Sequence, residues 1–89
     1  MTDDELLDLK AAEINYICRV GTDKFNKGNY LSAIDDFNKA IEMDPDNPNL
    51  YNLRGHARYS KGDIKGARSD FSKSKKLKSK GKKAKKNDS

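Results

Sequence analysis

Cys18 and His56 are the only cysteine and the only histidine among 89 residues. A thiol beside an imidazole is the simplest nucleophilic pair a chain can assemble. Nothing nearby in the sequence offers that pair an oxyanion hole, a third residue to orient the ring, or enough apolar material to wall a deep pocket. Two soft ligands also fall short of a four-ligand zinc site. The six glycines are scattered rather than gathered into a phosphate loop. The acidic pairs Asp3-Asp4 and Asp35-Asp36 read as helix-surface charge. No catalytic residue, metal site or cofactor is expected, and the chain is not read as an enzyme.

Recognition is the chemistry that remains. Asn15, Cys18, Thr22 and Phe25 follow one another at three and four residues, one stripe of a helix. Asn49, Asn52, His56 and Tyr59 repeat that stripe 34 residues later. Tyr16, Ile17 and Val20, with Leu50 and Tyr51, read as core positions beside the stripes, so the polar side chains are expected to point away from the core. Asparagine amides carry both donor and acceptor and can pair with the main chain of a peptide. Phe25 and Tyr59 offer rigid aromatic anchors at little entropic cost. The plainer alternative is a stripe of small polar groups facing water.

A second capacity lies in the charge distribution. Residues 1–63 carry 8 Lys/Arg against 12 Asp/Glu, whereas residues 64–89 carry 11 against 2. Eight lysines crowd residues 75–86: Lys75, Lys76, Lys78, Lys80, Lys82, Lys83, Lys85 and Lys86. Such a run can contact nucleic acid, ribosome or an anionic membrane through counterion release. It can also serve as a nuclear address, or simply keep the chain soluble. Without arginine or aromatic residues after Phe71, base readout and stacking are not expected. Any such contact should be unspecific and weaken steeply with salt.

The elements that position these groups are helices. Thr2 with Glu5 forms a capping box, and Asp3, Asp4 and Glu5 suit the positive end of a helix dipole. Leu7, Lys10/Ala11, Ile14, Ile17/Cys18, Gly21 and Phe25 then keep one face to about residue 27. Gly28-Asn29 breaks that helix. Tyr30, Ala33, Ile34, Phe37, Ala40 and Ile41 carry a second over 30–43, and Pro45 and Pro48 frame the next turn. A third helix is expected over 48–61, ended by Gly62, and a fourth from Ile64 that buries Ile64, Ala67 and Phe71. Gly81 is expected to interrupt the last helix and leave a mobile basic tail. Offsetting the chain by 34 residues lays Asn15 on Asn49, Gly21 on Gly55, Gly28 on Gly62, Ala33 on Ala67, Asp36 on Asp70 and Phe37 on Phe71.

This period and pattern resemble the tetratricopeptide repeat (TPR), whose 34-residue unit reads W-x2-L-G-x2-Y, then A-x3-F, then P. The first copy answers with Ile17-x2-Val20-Gly21-x2-Lys24, Ala33-x3-Phe37 and Pro45. The second answers with Tyr51-x2-Arg54-Gly55-x2-Arg58 and Ala67-x3-Phe71, with Ser79 in place of the proline. The resemblance implies an all-α fold of about four helices, paired as helix-turn-helix hairpins in a right-handed superhelix. It divides the chain into an N-terminal extension or cap (1–13), repeat one (14–47), repeat two (48–79) and a basic disordered tail (80–89). The extension could lengthen the first helix or fold back on it. Gly21 and Gly55 become packing points between the helices of a repeat, and the two stripes line a concave groove for a peptide. The family's carboxylate clamp is not expected, because Cys18, Thr22 and Leu53 occupy the positions of its lysine and asparagines.

Ser74, Lys75, Arg54 and Arg58 stand where the repeat expects small or apolar residues. They read as a charged face that ends the array, or as a degenerate repeat of a longer protein. Two repeats are fewer than the three that usually stabilise such an array, so self-association through an open end is a further expectation. No apolar run reaches the roughly 18 residues of a membrane span, the N-terminus is acidic, and one cysteine forms no internal disulfide. A soluble, reducing compartment follows, cytoplasmic or nuclear. The expected role is an adaptor, scaffold or assembly factor that holds a peptide segment of another protein, with polyanion contact through the tail as the alternative.

Overall fold

The computed structural model describes residues 2–86, which form four helices: α1 (Asp3–Asn26), α2 (Tyr30–Met43), α3 (Pro48–Lys61) and α4 (Ile64–Lys86). Local chemistry explains their ends. The Glu5 amide donates to Thr2 Oγ1 at 3.3 Å, satisfying one orphan donor of the first turn. Gly28 and Gly62 follow α1 and α3 with φ of +85° and +101°, a region open to glycine at no steric cost. Between α2 and α3 the Asn49 amide donates to Asn47 Oδ1 at 3.0 Å. The Tyr51 hydroxyl reaches back to the Pro45 carbonyl at 2.7 Å, tying the turn to the helix that follows it.

Two stretches settle questions of helix length. Residues 3–13 continue α1 as one helix rather than folding back. At the other end α4 passes through Gly81, where a break was expected, and continues to Lys86. One helix-interior glycine costs about 1 kcal/mol relative to alanine. The lysines and Ala84 around it are good helix formers, and cations near a helix C-terminus suit its dipole. The side chains of Leu7, Lys82, Lys83, Lys85 and Lys86 lie outside the described residues, as does the stretch 87–89.

Each helix packs on the next in sequence, and α1 also meets α3 along a narrow line. The molecule measures 17 Å across its thinnest dimension, so the core between its helices is thin. Among the described residues, two small apolar clusters hold it together. Ile14, Ala40 and Leu50 form one, with Ile17, Cys18, Ile41 and Met43 against them. Ala33, Phe37 and Ala57 form the other, with Phe25, Ile34 and Leu53. A side chain on Gly21 would place its Cβ 2.7 Å from Phe37 Cε1, and one on Gly55 would lie 2.7 Å from Phe71 Cε1. The glycines are therefore crossing points, each covered by a ring from the second helix of its own hairpin.

Several side chains sit elsewhere than expected. Tyr16 is 64% exposed and Ile64 45%; Tyr16 lies on a face of α1 that neither α2 nor α3 covers, and Ile64 is the first residue of α4. Asp36 is buried rather than surface charge, and its Oδ2 lies 2.8 Å from Lys24 Nζ. That oxygen has no aligned hydrogen bond, so the ammonium alone offsets its burial. Asp70, also buried, accepts from Arg54 Nη2 at 2.7 Å and from Arg54 Nε and Arg58 Nη1 at 3.0 Å each. Arg54 further donates to Asn38 Oδ1 at 2.9 Å, joining α3 to α2. Arg54 and Arg58 thus close the second hairpin onto itself instead of forming a bare charged face. Ser74 is likewise buried, at the place Ala40 takes in the first hairpin.

Removing one partner of a fully buried ion pair costs about 3–5 kcal/mol. The arginines facing Asp70 keep 18% and 26% of their exposure, so Asp70→Ala is expected to cost about 2 kcal/mol in urea unfolding, after discounting for that hydration. Asp36→Ala is expected to cost less, because Lys24 is 37% exposed; the reverse order would refute this assignment. Gly55→Leu is expected to cost about 1–3 kcal/mol through overpacking against Phe71, read as a lower melting temperature.

Candidate functional site

The first helices of the two hairpins, α1 and α3, lie side by side and share one face. Between them is a hollow of about 150 Å³ lined by Thr22, Phe25, Asn26, Phe37, Leu53 and His56. Phe37, 1% exposed, forms its floor from α2. Thr22, Phe25 and Leu53 are half-buried walls, while Asn26 and His56 are exposed at the rim. The aromatic side chains are held from behind. Phe25 tilts against Tyr30 with ring centroids 5.4 Å apart, and His56 sits edge-on to Phe71 at 5.1 Å. An apolar cavity of about this size accepts a benzene-sized guest. The hydroxyl, amide and imidazole at its edge can hydrogen-bond a peptide main chain.

Of the eight stripe residues, this hollow brings together Thr22, Phe25 and His56. Asn15 lines a different recess of about 260 Å³, with Lys10, Ala11, Ile14, Asp44 and Asn47. Asn49 is exposed in the first turn of α3, Asn52 is half-buried, and Tyr59 is 61% exposed. Cys18 packs on the Ile14–Ala40–Leu50 cluster, apart from the hollow that His56 lines. Burial pushes the Cys18 thiol above its ordinary pKa, which leaves little thiolate at neutral pH. Lys75, Lys76, Lys78 and Lys80 are exposed along α4.

Three lining residues were absent from the stripes. Leu53 precedes His56 by three and Asn26 follows Thr22 by four, spacings that share a helix face. Phe37 read only as core, because a repeat pattern does not reveal that a core ring also lies beneath a hollow. Among the described residues no group of His, Cys, Asp and Glu is arranged to hold a metal ion. None of the described helices is long and apolar enough to cross a membrane.

Two family models match this architecture. One, described as TPR repeat, covers residues 21–62, and the other, described as tetratricopeptide repeat, covers residues 48–80. Together they run from the crossing glycine of the first hairpin well into α4. The chain belongs to the tetratricopeptide-repeat family, an all-α array of helical hairpins. No curated protein matches the sequence. TPR repeats make the chain a protein–protein interaction module in general terms, in a class whose members are generally not catalysts.

The raised pKa and half-burial of Cys18 have a direct readout. Its alkylation by iodoacetamide at pH 8 is expected to run several-fold slower than that of a cysteine in an unfolded peptide, and to rise to the peptide rate in urea. A native rate equal to the peptide's would place Cys18 in the open.

Proposed function

We propose that this chain is an adaptor that takes one peptide segment of a partner protein along the α1/α3 face. A single bulky apolar side chain of that segment enters the hollow over Phe37, against Phe25 and Leu53. The observation that carries this reading is the hollow itself: an apolar floor and mainly apolar walls, with hydrogen-bonding groups on Thr22 and at the edge. Such sites take their energy from one desolvated anchor and their orientation from a few polar contacts. Thr22, Asn26 and His56 are placed to hold the main chain on either side of the anchor.

The same face argues against capture of a free carboxylate. Leu53, an apolar wall here, stands where the family's clamp has an asparagine, and Cys18 stands where it has a lysine. The bound segment is therefore internal to its protein, or carries its affinity in side chains rather than in a terminal charge. No catalysis is assigned to the site.

Panning a library of random twelve-residue peptides against the chain tests this. The enriched peptides are expected to share one Leu, Met, Phe or Tyr and to bind equally well when C-terminally amidated. His56→Glu and Thr22→Arg, both at or near the rim, are expected to weaken them at least tenfold, about 1.4 kcal/mol, with helicity unchanged. Peptides that bind both variants as tightly as the parent would refute the groove. A requirement for the free carboxylate would refute the anchor.

A further inference from the structure

Among the described residues, nothing covers one face of α1. Leu6, Leu9, Ala12 and Tyr16 recur at three and four residues, and all four are exposed, the two leucines at 52% and 56% and Tyr16 at 64%. A lone exposed leucine needs no explanation, whereas an apolar stripe on one helix does. The same stretch is acidic: residues 1–13 hold five carboxylates against one lysine. Asp3, Glu5, Asp8 and Glu13 are all exposed around the stripe.

The complementary surface is at the other end of the fold. Residues 72–86 hold nine lysines and no carboxylate. Lys73, Lys75, Lys76, Lys78 and Lys80 are exposed there, with Leu77 half-buried among them. Like charges three and four residues apart on a helix repel, so this half of α4 is stabilised by any acidic surface laid along it. Within one chain α1 and α4 do not touch among the described residues.

We infer that they meet between chains. The acidic, leucine-bearing half of α1 docks along the lysine-rich half of α4 in a second copy. Residues 3–16 and 72–86 match in length, each about 21–23 Å at a rise of ~1.5 Å per residue. Leu6 and Leu9 lie on lysine stems and Leu77, since long basic side chains cover apolar surface while their heads stay in water. The carboxylates meet the ammonium groups. Each copy carries both surfaces; arranged about a two-fold axis, two copies make the contact twice and close as a dimer rather than growing head to tail. The α1/α3 hollow takes no part, and the two assignments stand or fall separately.

Sedimentation equilibrium of the full chain at tens to hundreds of micromolar, in low and high salt, is the test. The parent is expected to be a dimer at low salt that weakens at least tenfold when salt is raised, as exposed charge pairs are screened. The variant Glu5→Lys/Asp8→Lys and the variant Lys76→Glu/Lys80→Glu are each expected to be monomeric. Mixed one to one they are expected to re-form the dimer, because each then offers what the other lacks; this recovery also shows that neither variant was merely unfolded. Leu6→Ala/Leu9→Ala is expected to weaken the dimer at unchanged charge. A parent that stays monomeric at low salt, or variants that fail to recover on mixing, would overturn the inference. A monomeric parent retained on heparin would instead assign α4 to a polyanion.

Discussion

A phenylalanine ring lying directly on the backbone of a neighbouring helix sets the geometry of each hairpin. Phe37 covers Gly21, and Phe71 covers Gly55, at separations that leave no room for a methyl group. Glycine inside a helix costs about 1 kcal/mol, while burying a phenylalanine side chain returns about 1.5–3 kcal/mol. The ring wins, and the two helices approach more closely than a side chain at the crossing would allow. In a body only 17 Å thick there is little other apolar material to hold the hairpins shut. Two alanines of α2, Ala33 and Ala40, are fully buried in the two apolar clusters, one with Ala57 and the other with Ile14 and Leu50.

Each ring is accompanied by a carboxylate. Asp36 precedes Phe37, and Asp70 precedes Phe71, so a buried acid enters beside each crossing. Each meets a cation three residues beyond the glycine, Lys24 in the first hairpin and Arg58 in the second, with Arg54 added there. The repeat expects a tyrosine at that cationic position, and here a charge pair stands in its place. Such pairs contribute little net stability once desolvation is counted. A hairpin in another register would leave Asp36 or Asp70 buried without these partners.

The candidate groove is a by-product of this packing rather than an addition to it. The ring that covers Gly21 also forms the floor between α1 and α3, so one side chain belongs to both the core and the candidate groove. His56 is braced in turn by Phe71, the ring of the second hairpin. The candidate groove therefore rests on the same crossings that close the hairpins. A preorganised site of this kind loses less entropy on binding than one built from loops.

Helix boundaries were within reach of the sequence alone, because they depend on local chemistry. Thr2, Gly28, Pro48 and Gly62 act through their own φ angles and nearest amides, and the period of 34 residues showed that a single hairpin had been built twice. Gly81 misled because propensity is summed over a helix rather than decided by one residue. What only the tertiary structure decided was which side chains a neighbouring helix covers. A spacing of three and four residues places Asn15, Cys18, Thr22 and Phe25 on one stripe, yet the stripe crosses two different neighbourhoods, and only its later half opens onto the hollow. Asp36 looked like surface charge for the same reason: its burial, like that of Asp70, is matched by cations 12 to 16 residues away in the chain, a distance that helical periodicity does not measure.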